Sequence, residues 1–385
     1  MTIGRYRIGV MFSDSGPYGT VSRSMRNGAL LSFAEIARQG GNGPAFEPVV
    51  VDPAGAPGRY PELAAELLGQ GIRHVVGCYT SSSRKDVIPQ FEKHDALLWY
   101  PSHYEGFESA PNVIYTGAAP NHHIIPLIRY LLANVGKRAY CVGSNYIWAW
   151  ENNRILREGL AAAGGSVIAE RYLAVGETDH SKVIAAILEA KPDFVFNTLI
   201  GTSAYTFFRD FRAACAAYGI DQAREIPIAS CSLSEPELAE IGPAAMDGHL
   251  SSSVYFASIP TATNRHFVEA YGAMFPQGPN VSADAEASYV AVKLLAAAIA
   301  AAGSDDVERV RAAVADARVA APQGEVWIDP TTNHAFLTPR IGRSSAQGQF
   351  DVVYAARQPA EPDPYLVQTA PRYAAASRPK LKVVR

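Results

Sequence analysis

The chain has 385 residues, 48% hydrophobic and 18% charged, with 31 glycines and 26 prolines spread along its length. That is globular composition; it excludes a disordered, collagenous or coiled-coil chain, and at roughly 150 residues per domain it predicts two or three domains. Thirty-four basic residues against 37 acidic ones leave a net charge of −3, with no surplus to neutralise a phosphate backbone, so nucleic acid is not expected as a direct partner.

Short β-branched runs alternate with amphipathic windows from the start. Residues 6–12 read as a strand, and 25–38 as a helix with Met25, Ala29, Phe33 and Ile36 on one face. A strand at 46–52, a helix at 60–70, a strand at 74–78, a helix at 82–94 and a strand at 96–100 follow. Near-continuous apolar strands are the mark of a parallel sheet covered on both faces. After the loop Gly117-Ala-Ala-Pro-Asn121 the rhythm restarts with a helix at 124–134, a strand at 138–142 and a helix at 152–163 stopped by Gly164-Gly165. Strands at 167–173 and 194–198 flank a helix at 181–190; a helix at 204–217, a strand at 226–230 and a short helix at 235–241 complete the run. Three helices (264–274, 283–302, 305–317) and two strands (324–328, 349–353) close the pattern. Two βαβα series predict an α/β protein of two doubly wound lobes. Pro359, Pro362 and Pro364 mark an irregular wrap, and 377–385 a basic, solvated tail.

The apolar stretch 8–12 is too short for a signal-peptide core, so the sequence as written predicts a cytoplasmic location; a chain relieved of its leader, and therefore periplasmic, would look the same. The longest apolar runs, near 290–302 and interrupted by Lys293, fall short of the roughly 20 residues of a bilayer span, so no membrane association is expected.

Nothing announces catalysis. There is no GxxxxGK[ST] loop and no GxSxG elbow, and Gly40-Gly41-Asn42-Gly43 follows a helix as a stop signal instead of preceding one as a phosphate cradle. Cys78, Cys141, Cys215 and Cys231 lack metal or CxxC spacing and read as buried small apolar residues. The adjacent His122 and His123 diverge on any regular element and are not expected to share a metal. Glu92-Lys93-His94-Asp95 reads as a solvated helix end. No catalytic residue, metal or cofactor is expected, and the chain is not read as an enzyme.

Polar and aromatic residues instead gather at the carboxyl ends of predicted strands, where open α/β sheets bind ligands. Five loops do so: Cys78-Tyr79-Thr80-Ser81-Ser82-Ser83; Trp99-Tyr100-Pro101-Ser102-His103-Tyr104-Glu105; Gly143-Ser144-Asn145-Tyr146-Ile147-Trp148-Ala149-Trp150; Gly201-Thr202-Ser203; and Ser230-Cys231-Ser232-Leu233-Ser234-Glu235. From two lobes they would face one cleft, rich in hydroxyls and rings and poor in charge, suited to a small neutral hydrogen-bonding ligand.

On these residues the chain resembles the type I periplasmic-binding-protein fold, and specifically the AmiC family, the aliphatic amidase expression-regulating amide sensors. It is similar also to urea and short-chain amide binding proteins of ABC transporters. The motifs that carry the resemblance are Tyr100-Pro-Ser-His-Tyr-Glu-Gly-Phe107, Pro111-Asn-Val-Ile-Tyr115, Ala119-Pro-Asn121, Gly143-Ser-Asn-Tyr146, Ala321-Pro-Gln-Gly324 and Asp363-Pro-Tyr365. The resemblance implies an amide pocket of Tyr79, Ser81, Tyr100, Ser102, Tyr146 and Trp148, with Thr202 and Ser232 beside it. Ser102 replaces the sensor's Thr and Trp148 its second Tyr, which predicts a smaller or differently bonded ligand such as urea or formamide. It implies an N-terminal lobe of 1–120 plus 256–322 and a C-terminal lobe of 121–255 plus 323–385. Three hinge crossings are expected near 118–121, 252–257 and 322–324. It implies, finally, a sensor that restrains an RNA-binding antiterminator until amide binds. The alternatives are the substrate-binding protein of a urea or short-chain amide importer, or a branched-chain amino-acid binder using Glu105 or Glu235. Self-association is left open.

Overall fold

A computed structural model describes residues 5–39 and 43–370; most of the glycine-rich stop and the basic tail at 377–385 lie outside the described residues. The first half runs β1 (Arg5–Met11), α1 (Gly19–Gln39), β2 (Ala45–Val51), α2 (Arg59–Gly69), β3 (His74–Gly77), α3 (Ser81–Lys93), β4 (Leu97–Tyr100) and β5 (Val113–Tyr115). A second series follows: α4 (Ile124–Asn134), β6 (Arg138–Ser144), α5 (Ile147–Ala162), β7 (Ser166–Leu173), α6 (Ser181–Ala190), β8 (Phe194–Thr198) and α7 (Thr202–Ala217). It continues with α8 (Gln222–Glu225), β9 (Ile228–Ser230), α9 (Glu235–Ile241) and β10 (Leu250–Ser253). The remainder comprises α10 (Ala262–Met274), α11 (Ala283–Ala302), α12 (Val307–Val314), β11 (Val319–Ala321), β12 (Gly324–Asp329), β13 (His334–Phe336), β14 (Arg340–Ser344) and β15 (Phe350–Ala355).

Two sheets result. The first has the order β11-β12-β13-β5-β4-β3-β1-β2 and the second β15-β14-β10-β9-β8-β6-β7. β1 to β5 pair in parallel, as do β6 to β10, while β12 and β14 turn back antiparallel onto their neighbours. Every residue of β3, β4, β5 and β8 is buried because helices cover both faces, whereas the edge strand β15 is exposed beyond Phe350.

The hairpin of β12 and β13 corrects one expectation. Residues 323–336 were assigned to the C-terminal lobe, but β12 pairs with β13, and β13 with β5 of the first sheet. The third crossing therefore falls after Phe336, not at 322–324. There Arg340 donates to the carbonyls of Val254 and Gln323, and Ser252 donates to the His123 carbonyl at 2.8 Å, so the crossings are cross-linked. The apolar runs near 290–302 also join into one helix, α11, long and apolar enough to cross a membrane. It packs along α1 as a core helix, and its Lys293 meets Glu35 at 2.8 Å.

The irregular wrap after β15 serves as a strap. Asn121 clamps it, donating to the Glu361 carbonyl at 2.8 Å and accepting from Asp363 N–H at 2.9 Å. The Asp363 carboxylate accepts the N–H groups of Val367, Gln368 and Thr369, and the Pro364 carbonyl accepts from Phe107 at 2.9 Å. Gly106 is required beneath it: φ is +79°, and a Cβ would lie 2.4 Å from the Pro364 carbonyl. The motifs Tyr104-Glu-Gly-Phe107, Ala119-Pro-Asn121 and Asp363-Pro-Tyr365 thus interlock.

Burial holds five histidines neutral. It lowers His74, His122 and His249 to about 4 and His123 and His334 to about 3. Their folded pKa values lie below the ordinary 6.5, so the stability they support is complete above pH 6.5 and drains away as pH falls toward 4. The thermal midpoint should therefore drop steeply between pH 6.5 and 4, each histidine accounting for about 1–3 kcal/mol. A midpoint that stays level over that range would contradict neutral burial.

Candidate ligand-binding cleft

β1 lies between β2 and β3, and β6 between β7 and β8, so each is a point where strand order reverses and a crevice opens. The loops that leave their carboxyl ends meet across the lobes. The Pro17 carbonyl after β1 accepts from Thr202 N–H at 3.0 Å, at the start of α7. This approach needs Gly201, whose φ is +59° and whose Cβ would stand 2.0 Å from the Pro17 oxygen. Thr20 donates to Glu240 at 2.8 Å, and the Arg154 guanidinium of α5 lies 5.0 Å over the Phe107 ring.

Inside this seam the first lobe contributes Tyr79, buried to 4% exposure, with its ring 5.4 Å from that of Tyr18. Burial pushes the Tyr79 phenol well above its ordinary pKa, reinforced by the nearby acidic groups Glu237, Tyr146, Asp284 and Tyr205, which come from both lobes. Tyr100 lies beneath; its hydroxyl donates to the Tyr79 carbonyl at 3.0 Å and so supports the crevice instead of lining it. Ser81 opens α3 and donates to Glu105. Ser102 donates to the His103 carbonyl at 3.3 Å.

The second lobe contributes Trp148, set edge-on to His103 at 5.3 Å, and half-buried Tyr146, stacked on Trp148 at 6.4 Å. Thr202 stands exposed at the rim, and Ser232 is half-buried and bonded to Ser230 at 3.1 Å. Ring contacts join Trp148 to His103 and to Tyr146, and Tyr79 rests on the Tyr100 hydroxyl, while Thr202 is exposed beside Pro17 and Ser232 is held by Ser230. Trp150, from the same loop as Trp148, is exposed and donates to Asn145.

The expectation of few charges is not met. Glu105, Asp284, Glu237, His103 and Arg84 all border the crevice. Each charge, however, is matched or suppressed. Glu105 faces Arg84 at 2.9 Å, and the Asp284 carboxylate accepts both the backbone N–H and the ring Nδ1 of His103, at 3.2 and 3.1 Å. Burial would lower the His103 pKa, but Asp284 raises it on balance. Glu237, in a capping box with Ser234, is pushed by burial up to about 8, so its carboxyl holds its proton at neutral pH. Residue type hid these groups from the sequence: Asp284 reaches His103 across 181 positions of chain.

The Trp148 indole N–H, the Tyr205 hydroxyl and the Arg84 Nη1 are among the groups buried here without a hydrogen-bond partner. Unpaired buried groups of this kind cost about 1–3 kcal/mol each, and a polar ligand relieves that. Among the described residues no cluster of three metal-ligating side chains occurs. An open groove of about 780 Å³, lined by Arg23, Arg26, Glu240 and Phe275, lies between α1 and α9 on the outer side of the Thr20–Glu240 contact.

The geometry agrees with comparison to known proteins. The profile of the periplasmic binding protein domain family matches residues 6–371, and the chain belongs to that family. Its fold is the two-lobed type I α/β architecture. The Leu/Ile/Val-binding protein BraC3 of Rhizobium johnstonii is 25% identical over 81% of this chain and 83% of that one. A solute-binding protein of Rhodopseudomonas palustris, solved with p-hydroxybenzoic acid, superposes with a TM-score of 0.84 at 20% identity, covering 95% of this chain and all of that one (100%). The isoleucine complex of LivJ from Streptococcus pneumoniae superposes at 0.80 with 19% identity, over 93% and 100% of the two chains. A limonene hydroxylase of Geobacillus stearothermophilus is 28% identical over 122 residues, 32% of this chain; the chain thus spans only 22% of that relative, too little to carry an activity.

The packing of His103 on Trp148 joins the lobes. Trp148→Ala should loosen that joint, and small-angle scattering of the unliganded variant should give a larger radius of gyration than the parent. Identical radii would show that this contact does not hold the lobes together.

Proposed function

We propose that the protein is the solute-binding component of an ABC-type importer and that its solute is a small neutral molecule bearing N–H groups, urea or a short-chain amide. Membership of the periplasmic binding protein family supports the first part. The matched charges of the crevice carry the second. Arg84, the cation nearest the crevice floor, is fully buried and paired through Nε and Nη2 with Glu108 and Glu105, so a carboxylate would find no exposed counter-charge from it. An amino acid needs in addition an unmatched anion, yet Asp284 is held by His103 and Glu237 is protonated. The ligands of the relatives, branched-chain amino acids and p-hydroxybenzoic acid, are of those two kinds and are the competing solutes of this reading. A neutral amide asks only for donors and acceptors, which Tyr79, Ser81, Tyr146, Trp148 and Tyr205 supply.

Size sets the affinity. Four heavy atoms at about 1.5 kcal/mol each give at most about 6 kcal/mol, a dissociation constant of tens of micromolar. The sensor reading shares the pocket and differs in its partner. The Asp363-Pro-Tyr365 motif that favoured it is accounted for by the strap on Asn121 and Phe107, without any antiterminator. In the importer reading the protein works outside the cytoplasmic membrane.

Calorimetric titration with urea, formamide, acetamide, butyramide, leucine and benzoate tests the proposal. Urea or one of the two smallest amides should bind in the micromolar range, with leucine and benzoate at least tenfold weaker. Tightest binding by leucine or benzoate would overturn it.

A further inference from the structure

A buried chain of charge borders the crevice. Arg84 has no exposed surface; its guanidinium carbon sits 4.8 Å from the Tyr100 ring centre and 4.7 Å from that of Tyr104. Its Nε donates to Glu108 at 2.7 Å and its Nη2 to Glu105 at 2.9 Å. Glu105, 1% exposed, thus has one carboxylate oxygen taken by Arg84, and its other oxygen accepts the Ser81 hydroxyl.

The direction of that last bond matters. An ionised carboxylate only accepts, and a serine has a single O–H proton. With the proton committed to Glu105, Ser81 Oγ can show the crevice nothing but lone pairs. Its backbone N–H, meanwhile, belongs to the first turn of α3, whose amides have no intrahelical acceptor. One residue therefore presents a donor and an acceptor side by side, the complement of the H–N–C=O edge of an amide.

We propose that Glu105, held in place by Arg84, is a positioning residue that fixes Ser81 Oγ as a hydrogen-bond acceptor, so that this subsite selects ligands offering an N–H over isosteres that lack one. The inference rests on the reading of the crevice as a site for small neutral solutes. Glu105 acts through Ser81 and need not touch the ligand.

Glu105→Gln reverses the polarity. Arg84 can only donate, so it keeps the new amide's oxygen, and the NH₂ group turns to Ser81, whose own proton is then free to face the ligand. Acetamide and acetone, neutral and nearly identical in shape, separate the cases by calorimetry. The parent protein should favour acetamide over acetone by at least about tenfold, and Glu105→Gln should shrink that ratio by about tenfold. In a Ser81→Ala background Glu105→Gln should leave the ratio unchanged. Ser81→Ala alone, which does not depend on the variant at 105 folding, should weaken acetamide and leave acetone as it was. Equal weakening of both probes by Ser81→Ala, or an effect of Glu105→Gln that persists without Ser81, would overturn the proposal. If the parent binds urea and acetamide but does not discriminate against acetone, the positioning role alone falls. If it binds neither, the solute reading falls and this inference with it.

Discussion

A charge taken wholly out of water must be answered where it sits, because several kcal/mol of lost hydration are otherwise uncompensated. Arg84 is that charge in this molecule. Answering it draws Glu105 and Glu108 inward, stacks Tyr100 and Tyr104 on the guanidinium faces, and places the Tyr104-Glu-Gly-Phe107 segment where the strap can close over it. Tyr115 donates to Glu108 at 2.8 Å and lies flat on His334 at 4.1 Å, so the same group of charges also anchors the β12–β13 hairpin onto the first sheet. The crevice floor is thus tied together by ion pairs and ring contacts to one guanidinium.

The lobes were legible in the sequence for a simple reason. Strands covered on both faces must be apolar throughout, so β1, β3, β4, β6 and β8 announced themselves as continuous runs. Short or polar strands did not. β5 has three residues, and β10 reads Leu-Ser-Ser-Ser, its buried hydroxyls paired with the carbonyls of Leu233 and His123. β14 begins with Arg340, a residue type that argues for the surface until its carbonyl partners from other segments are in place.

The crevice was legible in its rings and hydroxyls and not in its charges. Tyr79, Ser81, Tyr146 and Trp148 follow strand ends, a local signal. Asp284, Glu237 and Arg84 become buried only through partners brought by the fold, and composition assigns such residues to solvent. The motifs on which the sequence resembles the amide sensors divided in the same way. Tyr100 and Glu105 support the floor, and Asn121 and Asp363 fasten the strap, so much of what looked like a ligand signature is scaffolding around one.

That strap has a mechanical consequence. It leaves β15 of one lobe, passes the hinge at Asn121 and ends against Phe107 of the other, tethering the two halves along a single edge. At the opposite margin the lobes meet through the Pro17–Thr202 and Thr20–Glu240 hydrogen bonds, the first passing over a bare glycine.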